Sequence, residues 1–388
     1  MPDGCEPIRI RLVERIAALS AAAWDACARG DNPTVSHAFL SALEESGSAS
    51  GETGWLPQHL AVEDESGRLV AAAPLYLKSH SYGEYVFDHG WADAYERAGG
   101  RYYPKLQLAV PFTPVAGPRL LVHPDAPRGT RETLIAGLIE VARRMGVSSL
   151  HITFPTEPEW RALGAAGLLL REGEQFHWEN RGYGSFEDFL GALSSRKRKN
   201  IRKEREAALD GGLEIVALSG PAVEKRHWDA FFRFYRNTSD RKWGYPYLTR
   251  AFFDRLGAAM ADKVLLILAM KQGRPVAGAL NLIGRDTLYG RNWGCEGDFP
   301  FLHFECCYYQ AIEFAIARGL RRVEAGAQGP HKIQRGYLPV PTYSAHWIRD
   351  RHFAKAVGDF LARERAAVRD ERTALAACSP FRKEPERA

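Results

Sequence analysis

Gly67-Arg68-Leu69-Val70-Ala71-Ala72-Ala73 and Gly273-Arg274-Pro275-Val276-Ala277-Gly278-Ala279 follow one pattern: a glycine, an arginine, then a run of small and apolar residues. An apolar segment precedes each, Leu60 to Val62 and Leu265 to Ala269, so each reads as a β-hairpin turning at its glycine. A helix start lies upstream in both places: Ser36-His37-Ala38-Phe39 with Leu43, and Thr249-Arg250-Ala251-Phe252 with Leu256. Downstream comes a longer helix ending near a glycine (Ala142 to Gly146; Ala315 to Gly319), then a short strand (Leu150 to Phe154; Arg321 to Ala325). The shared order predicts an internal duplication. Antiparallel strands mixed with helices place each copy in the α+β class rather than in a doubly wound sheet. The break at Arg181-Gly182-Tyr183-Gly184 predicts an N-terminal domain over 1–180 and a C-terminal domain over 181–388. The second domain would carry a basic helix over 186–210 and an Ala-, Arg- and Glu-rich helix from Arg351 to Ala377, with a frayed tail from Ser379.

The 388 residues, 45% apolar and 26% charged, are those of a globular protein of two or three domains. A net charge of +5 is too mild to imply nucleic-acid binding on its own. Six cysteines without C-x-x-C spacing predict reduced thiols and a cytoplasmic setting. Met1 to Ile10 lacks a signal-peptide pattern, and apolar runs such as Val264 to Met270 are far too short to span a bilayer, so any membrane contact is expected to be peripheral. There is no G-x-x-x-x-G-K-[ST] loop and no G-x-S-x-G, which argues against a P-loop NTPase and an α/β-hydrolase.

Chemistry-bearing residues concentrate in the second half. Ala325 to Tyr337 reads A-G-A-Q-G-P-H-K-I-Q-R-G-Y, a strand end running into a glycine-rich loop with Gln328, His331, Lys332 and Arg335. Such a loop suits a ligand carrying carboxylate, phosphate or a developing oxyanion. His303 and Glu305 open the preceding helix, where Glu305 could orient the histidine or accept a proton from an amine. Arg291 closes the strand before it and is a further ligand candidate. A metal site from His303, Glu305, His331 and His346 has no supporting spacing, and no metal is expected. Arg196 to Arg205 carries seven positive residues in ten, with Arg198, Arg202 and Arg205 flanking an apolar stripe and Lys199 and Lys203 outward. Like charges at this spacing repel, so an anionic partner is expected: a pyrophosphate, a tRNA acceptor stem or anionic lipid.

Several segments together resemble a known family. They are Tyr289-Gly290-Arg291-Asn292-Trp293-Gly294, Leu302-His303-Phe304-Glu305-Cys306-Cys307-Tyr308-Tyr309-Gln310, Gly326 to Lys332 and Arg335 to Pro339, extended by Ser344-Ala345-His346-Trp347. In the first half, Tyr102-Tyr103-Pro104-Lys105-Leu106 and Phe112 to Arg119 are similar too. The chain is similar to the FemAB-like N-acyltransferases, related to the Fem-type peptidoglycan aminoacyltransferases, with a tandem GNAT fold. The resemblance implies two GNAT-like acyltransferase domains and transfer of an acyl or aminoacyl group onto an amine of a cell-wall precursor or similar anionic substrate, at the inner face of the membrane. It implies no bound cofactor, with aminoacyl-tRNA or acyl-CoA as candidate co-substrate. Ordinary GNAT enzymes hold acetyl-CoA through a [QR]-x-x-G-x-[GA] loop. The nearest segment here is Arg291 to Glu296, with Glu296 where a small residue belongs, which disfavours an acetyl-CoA-dependent N-acetyltransferase. On this reading Lys332 or Arg335 stabilises the oxyanion, and His331 or Glu305, with His303, assists deprotonation. Arg198 and Arg202 hold phosphates, and Gln328, Arg291, His346 and Lys105 contact substrate. A non-catalytic protein recognising peptidoglycan or a nucleotide sugar is the alternative.

Overall fold

The computed structural model describes residues 9–242, 245–327 and 329–382; Gln328 lies outside them. The chain forms two compact units, Met1–Gly173 with Pro341–Val368, and Glu174–Val340 with Arg369–Ala388. Both predicted hairpins are present. Gly67 (φ 79°) turns His59–Glu63 into Leu69–Ala73, and Gly273 (φ 72°) turns Val264–Lys271 into Arg274–Ile283. This left-handed backbone suits glycine. The helix starts hold as well: Ser36 Oγ accepts from the Phe39 amide and Thr249 Oγ1 from the Phe252 amide, each relieving an orphan donor of the first turn.

In the second unit the strands run in the order Leu213–Ser219, Val264–Lys271, Arg274–Ile283, Thr287–Cys295, Arg322–Glu324, Leu169–Glu179. All pairings are antiparallel except that of Thr287–Cys295 with Arg322–Glu324, which is parallel. The helical stretch from Leu302 to Ala317 covers one face and buries Cys306, Tyr309, Ile312 and Ala315 against Leu265, Ile267, Leu288 and Val323. On these strands helix Lys225–Lys242 approaches Gly278 and Gly294, which face each other across the ladder. A Cβ on Gly294 would stand 2.2 Å from the Phe234 carbonyl carbon, and one on Gly278 3.0 Å from the Phe231 ring. Both glycines are there for close packing.

The first unit repeats the plan with a split. Leu69–Ala73 and Leu75–Lys78 correspond to the single strand Arg274–Ile283, interrupted at Pro74, which has no amide to give a ladder. One part of the sheet is ordered Arg9–Val13, His59–Glu63, Leu69–Ala73, Leu121–Val122. The other runs Trp55–Pro57, Leu75–Lys78, Lys105–Leu108, Ser149–Thr153, with Ser344 to Ile348 paired next to Ser149–Thr153. Helix Thr130–Arg144 buries Leu134, Ile135 and Leu138 against Leu60, Val62, Leu106 and Leu150.

The unit boundaries differ from a cut at residue 180. Leu169–Glu179 follows the first unit in sequence, yet its 177–179 end pairs with Arg322–Glu324. Leu338–Ile348 follows the second, yet 344–348 pairs with Ser149–Thr153 of the first. Helix Arg351–Ala377 then sets Val357 and Leu361 against Trp91 and Tyr102 of the first unit. In each unit the sheet thus includes a strand drawn from the other half of the sequence, a pairing that local pattern does not encode. The basic helix is also two helices, Phe186–Ala192 and Ser195–Leu209. Leu193, fully buried, bridges to Phe381, the Ser194 amide donates to Pro380 O and the Arg382 amide to Ala192 O, so the tail as far as Arg382 is held rather than frayed.

Candidate active site

Parallel strands Thr287–Cys295 and Arg322–Glu324 stay paired for three residues, Thr287↔Arg322 to Tyr289↔Glu324, and then part. Thr287–Cys295 continues along Arg274–Ile283. Beyond Glu324 the chain turns away through Gly326 (φ 78°). The wedge between them is a cleft of about 160 Å³ lined by Arg291, Asn292, Trp293, His303, Cys307 and Tyr308, with Asn281, Gly290 and Gly326 at its root. Gly290 is needed at the apex: a Cβ there would meet Glu324 O at 3.1 Å.

Arg291 sits on a β-bulge. Leu280 pairs with Asn292 and Asn281 with Gly290, so Arg291 has no residue opposite it in the ladder, and it lies on the cleft wall. The other wall comes from an irregular helix. One α-turn, Leu302–Phe304, passes into a π-turn over Glu305–Tyr309, where the Gln310 amide donates to Glu305 O, before α-helix Gln310–Ala317. Such an insertion changes which side chains share a face. His303, Cys307 and Tyr308 line the cleft, while Glu305 turns into the protein. The His303 ring meets Trp293 and Tyr308 edge-on at 5.4 and 5.3 Å. Tyr308 Oη contacts His331 Nε2 at 3.0 Å, and burial pushes the Tyr308 hydroxyl well above its ordinary pKa, so it stays a hydroxyl.

The predicted residues divide. His303 and Arg291 are on the cleft. His331 touches it only through Tyr308 and is itself exposed, with its pKa lowered by partial burial and then by Arg335 and Lys332. Lys332 lies one layer behind: it is 2% exposed and its Nζ donates to Gly326 O at 2.7 Å, fixing the carbonyl at the wedge mouth. Burial brings its pKa down to about 8. Arg335 does not reach the cleft. Its guanidinium is taken by Glu204 at 2.8 and 3.1 Å and stacks on Phe304, 3.4 Å from the ring centroid.

Glu305 is not a free base, because both carboxylate oxygens accept from Arg205 at 2.8 and 3.0 Å and one also from Gln310. Arg205 bonds Glu313 as well. Arg202 is exposed and paired with Glu187 at 2.5 Å, so it lines no cleft. Acid from neighbouring elements pairs with Arg202 and Arg205, two of the seven positive residues of the basic run, a relief the local sequence does not display. Arg198 is half-buried, and Lys199 and Lys203 are exposed. His346 and Lys105 belong to the first unit. His346 is in its interior, within 2.7 Å of His151 and 3.0 Å of Ser344, and burial holds it neutral. Lys105 is fully buried on Ser81, Glu84 and Asp88. Arg291 to Cys295 is strand, with Asn292 to Cys295 paired to Ala277 to Leu280, so it forms no phosphate-cradling loop. Among the described residues no group of three His, Cys, Asp or Glu is placed to hold a metal ion, and no helix is long and apolar enough to cross a membrane. Asn281, Asn292, Cys307 and Tyr308 were not singled out from sequence; only the bulge and the π-turn bring them into one cleft.

Two duplicated α+β units, each with a parallel strand pair that splays in its sheet, define a tandem GNAT-like protein. The chain belongs to the FemAB-like family, described as one of peptidoglycan biosynthesis and recognition, which it matches over residues 15–383. Its fold is similar to that of FemX, with a TM-score of 0.54 at 12% identity over 88% of this chain and 98% of FemX. It is similar to the C-terminal domain of a protein designated a lysylphosphatidylglycerol synthetase from Agrobacterium fabrum, TM-score 0.53 at 11% identity, over 88% and 94% of the two chains. L-PGS from Bacillus licheniformis gives 0.50 at 10% identity over 83% and 95%. At these identities the likeness is one of fold. No curated protein matches the sequence.

Proposed function

We propose that the protein is an N-acyltransferase acting on an amine of a cell-wall precursor, with the wedge of the second unit as its acyl site. The observation that carries this is Arg291, bulged out of the ladder onto a cleft whose other wall holds His303 and Tyr308. The amine attacks the activated acyl carbonyl, a tetrahedral oxyanion forms, the C–N bond is made and the leaving group departs. Arg291 carries the charge to stabilise that oxyanion, and His303 is the cleft group that can take the amine proton. Lys332 positions rather than reacts, by holding the Gly326 carbonyl. Arg335 and Glu305 brace the elements that carry the cleft.

For the donor, the strand conformation of Arg291 to Cys295 speaks against acetyl-CoA held in the usual loop. Arg196, Lys199 and Lys203 are exposed, and neither they nor Arg198 takes part in an ion pair among the described residues, so helix Ser195–Leu209 offers cations to a phosphate-rich donor such as aminoacyl-tRNA. The reaction would then lie at the cytoplasmic face of the membrane, where both substrates meet. The test is to incubate the protein with aminoacyl-tRNA or acyl-CoA and UDP-linked muropeptides and read acylated product by mass. Product that disappears with Arg291→Ala supports the proposal. Muropeptide binding without product from any donor would instead identify a recognition protein.

A further inference from the structure

In the first unit the sheet formed by Leu75–Lys78, Lys105–Leu108, Ser149–Thr153 and 344–348 has two unlike faces. Leu75, Leu77, Leu106, Leu108, Leu150, Ile152 and Ala345 pack in the core with helix Thr130–Arg144. The opposite face presents Tyr76, Lys78, Lys105, Gln107, His151 and His346, every one buried. Lys78 and Lys105 stand directly opposite each other in the ladder, both 0% exposed. Like charges so placed repel, and burial adds a desolvation cost to each.

The counter-charge comes from one short segment, 79–88, that crosses above them. Lys105 is saturated: Nζ donates to Ser81 Oγ and Glu84 Oε2 at 2.8 Å, and to Asp88 Oδ2. Lys78 is not. Its Nζ has one long hydrogen bond, to Tyr82 O at 3.3 Å, and lies 3.7 Å above the Trp55 ring. The nearest carboxylate oxygen, Glu84 Oε1, is 4.0 Å away, and that oxygen, like Asp88 Oδ1, is buried without a hydrogen-bond partner. Glu84 therefore stands beside both ammonium groups and hydrogen-bonds only that of Lys105. The outer side of the same segment exposes two large aromatics, Tyr82 at 60% and Phe87 at 59%. A polar underside, an aromatic outer side and an ill-fitting buried charge suit a cover that leaves its seat better than they suit a fixed core element.

We propose that Lys78 and Lys105 form a recognition site for a compact oxyanion, a phosphate or a carboxylate borne by a ligand, and that Glu84 is a stand-in which the ligand displaces when segment 79–88 lifts. A tetrahedral or planar oxyanion offers several acceptor oxygens and can serve both ammonium groups at once, which one glutamate here does not. The site is separate from the wedge of the second unit and does not depend on the acyltransferase reading.

The test uses the full chain with inorganic phosphate, acetate and chloride as probes, followed by calorimetry and thermal melting. Glu84→Gln removes the competing charge and should bind phosphate or acetate about tenfold more tightly than the unaltered protein. Preference for phosphate points to a phosphate ester, and preference for acetate to a peptide carboxylate. Lys78→Met keeps the packing on Trp55 and removes an under-bonded buried charge. It should melt no lower than the unaltered protein and lose the anion response. Either probe acting no differently from chloride in both the unaltered protein and Glu84→Gln, or Lys78→Met melting well below the unaltered protein, overturns the proposal and makes the cluster a structural ion network. If Glu84→Gln does not fold, the Lys78→Met pair of readouts decides alone.

Discussion

The two units build the same wedge and treat it in opposite ways. In the second, Thr287–Cys295 and Arg322–Glu324 part after three pairs and leave a cleft. In the first, Lys105–Leu108 and Ser149–Thr153 also run parallel for three pairs, Leu106↔Leu150 to Leu108↔Ile152. Here, however, the chain from Ala109 to Leu120 folds back into the gap. Gly117 N donates to Phe154 O at 3.0 Å, and Arg119, 0% exposed, spans Thr153 O and Val115 O at 2.9 and 2.7 Å. Glu159 takes the Arg119 and Leu120 amides. Where the backbone groups at a splay are answered by the chain itself, the wedge is structure. Where they line an open space beside Arg291 and His303, it can hold a ligand. Duplication supplied two frames, and in one of them the chain from Ala109 to Leu120 fills the gap that the other leaves open.

This contrast can be broken at several points. The largest effect is expected from Arg119→Met, which strands buried carbonyls and removes charge-assisted bonds. The loss should be about 3 to 5 kcal/mol in urea unfolding, with transfer activity per folded molecule retained. A loss of activity without a loss of stability would mean the first wedge is not merely filled. Arg291→Ala should do the reverse, lowering turnover by about 10² to 10³ and leaving the melting temperature nearly unchanged. Equal loss of stability and rate would return Arg291 to the framework. Gly294→Ala places a Cβ against the Phe234 backbone and should cost about 1 to 3 kcal/mol. A neutral result would show that helix Lys225–Lys242 can shift.

Two smaller effects concern charge. The Lys332 pKa falls from 10.5 to about 8 on folding, so its charged form is disfavoured in the native state. Its contribution is present above 10.5, declines as pH falls below that value, and is lost once pH has fallen through about 8. Stability curves of Lys332→Met and the unaltered protein should therefore diverge as pH falls from 10.5 to about 8, in favour of the variant, and run parallel below that; curves parallel across that window would refute the burial argument. Finally, Arg202→Ala removes only an exposed pair with Glu187 and should change stability by about 0.2 to 1 kcal/mol at most. A larger loss in affinity for a phosphate-bearing donor would restore that arginine to the binding surface.

The sequence by itself determined what is local. The two glycine turns, the Ser36 and Thr249 caps and the order of elements in each copy follow from backbone preference and short-range hydrogen bonding, and the structure has them where the pattern puts them. It also marked Arg291 and His303, because charged groups beside a strand end and a helix start are conspicuous in one dimension. The tertiary structure alone decided the rest. His346 and His151 lie 195 residues apart in sequence and 2.7 Å apart in space, because strand 344–348, from the second half of the chain, pairs with Ser149–Thr153. Glu305 and Arg335, equally conspicuous in sequence, were claimed by Arg205 and Glu204, since a buried charge must find a partner and the nearest one lay on a helix about a hundred residues earlier. A residue's type states which chemistry it can offer; whether that offer stays open depends on what the fold sets beside it.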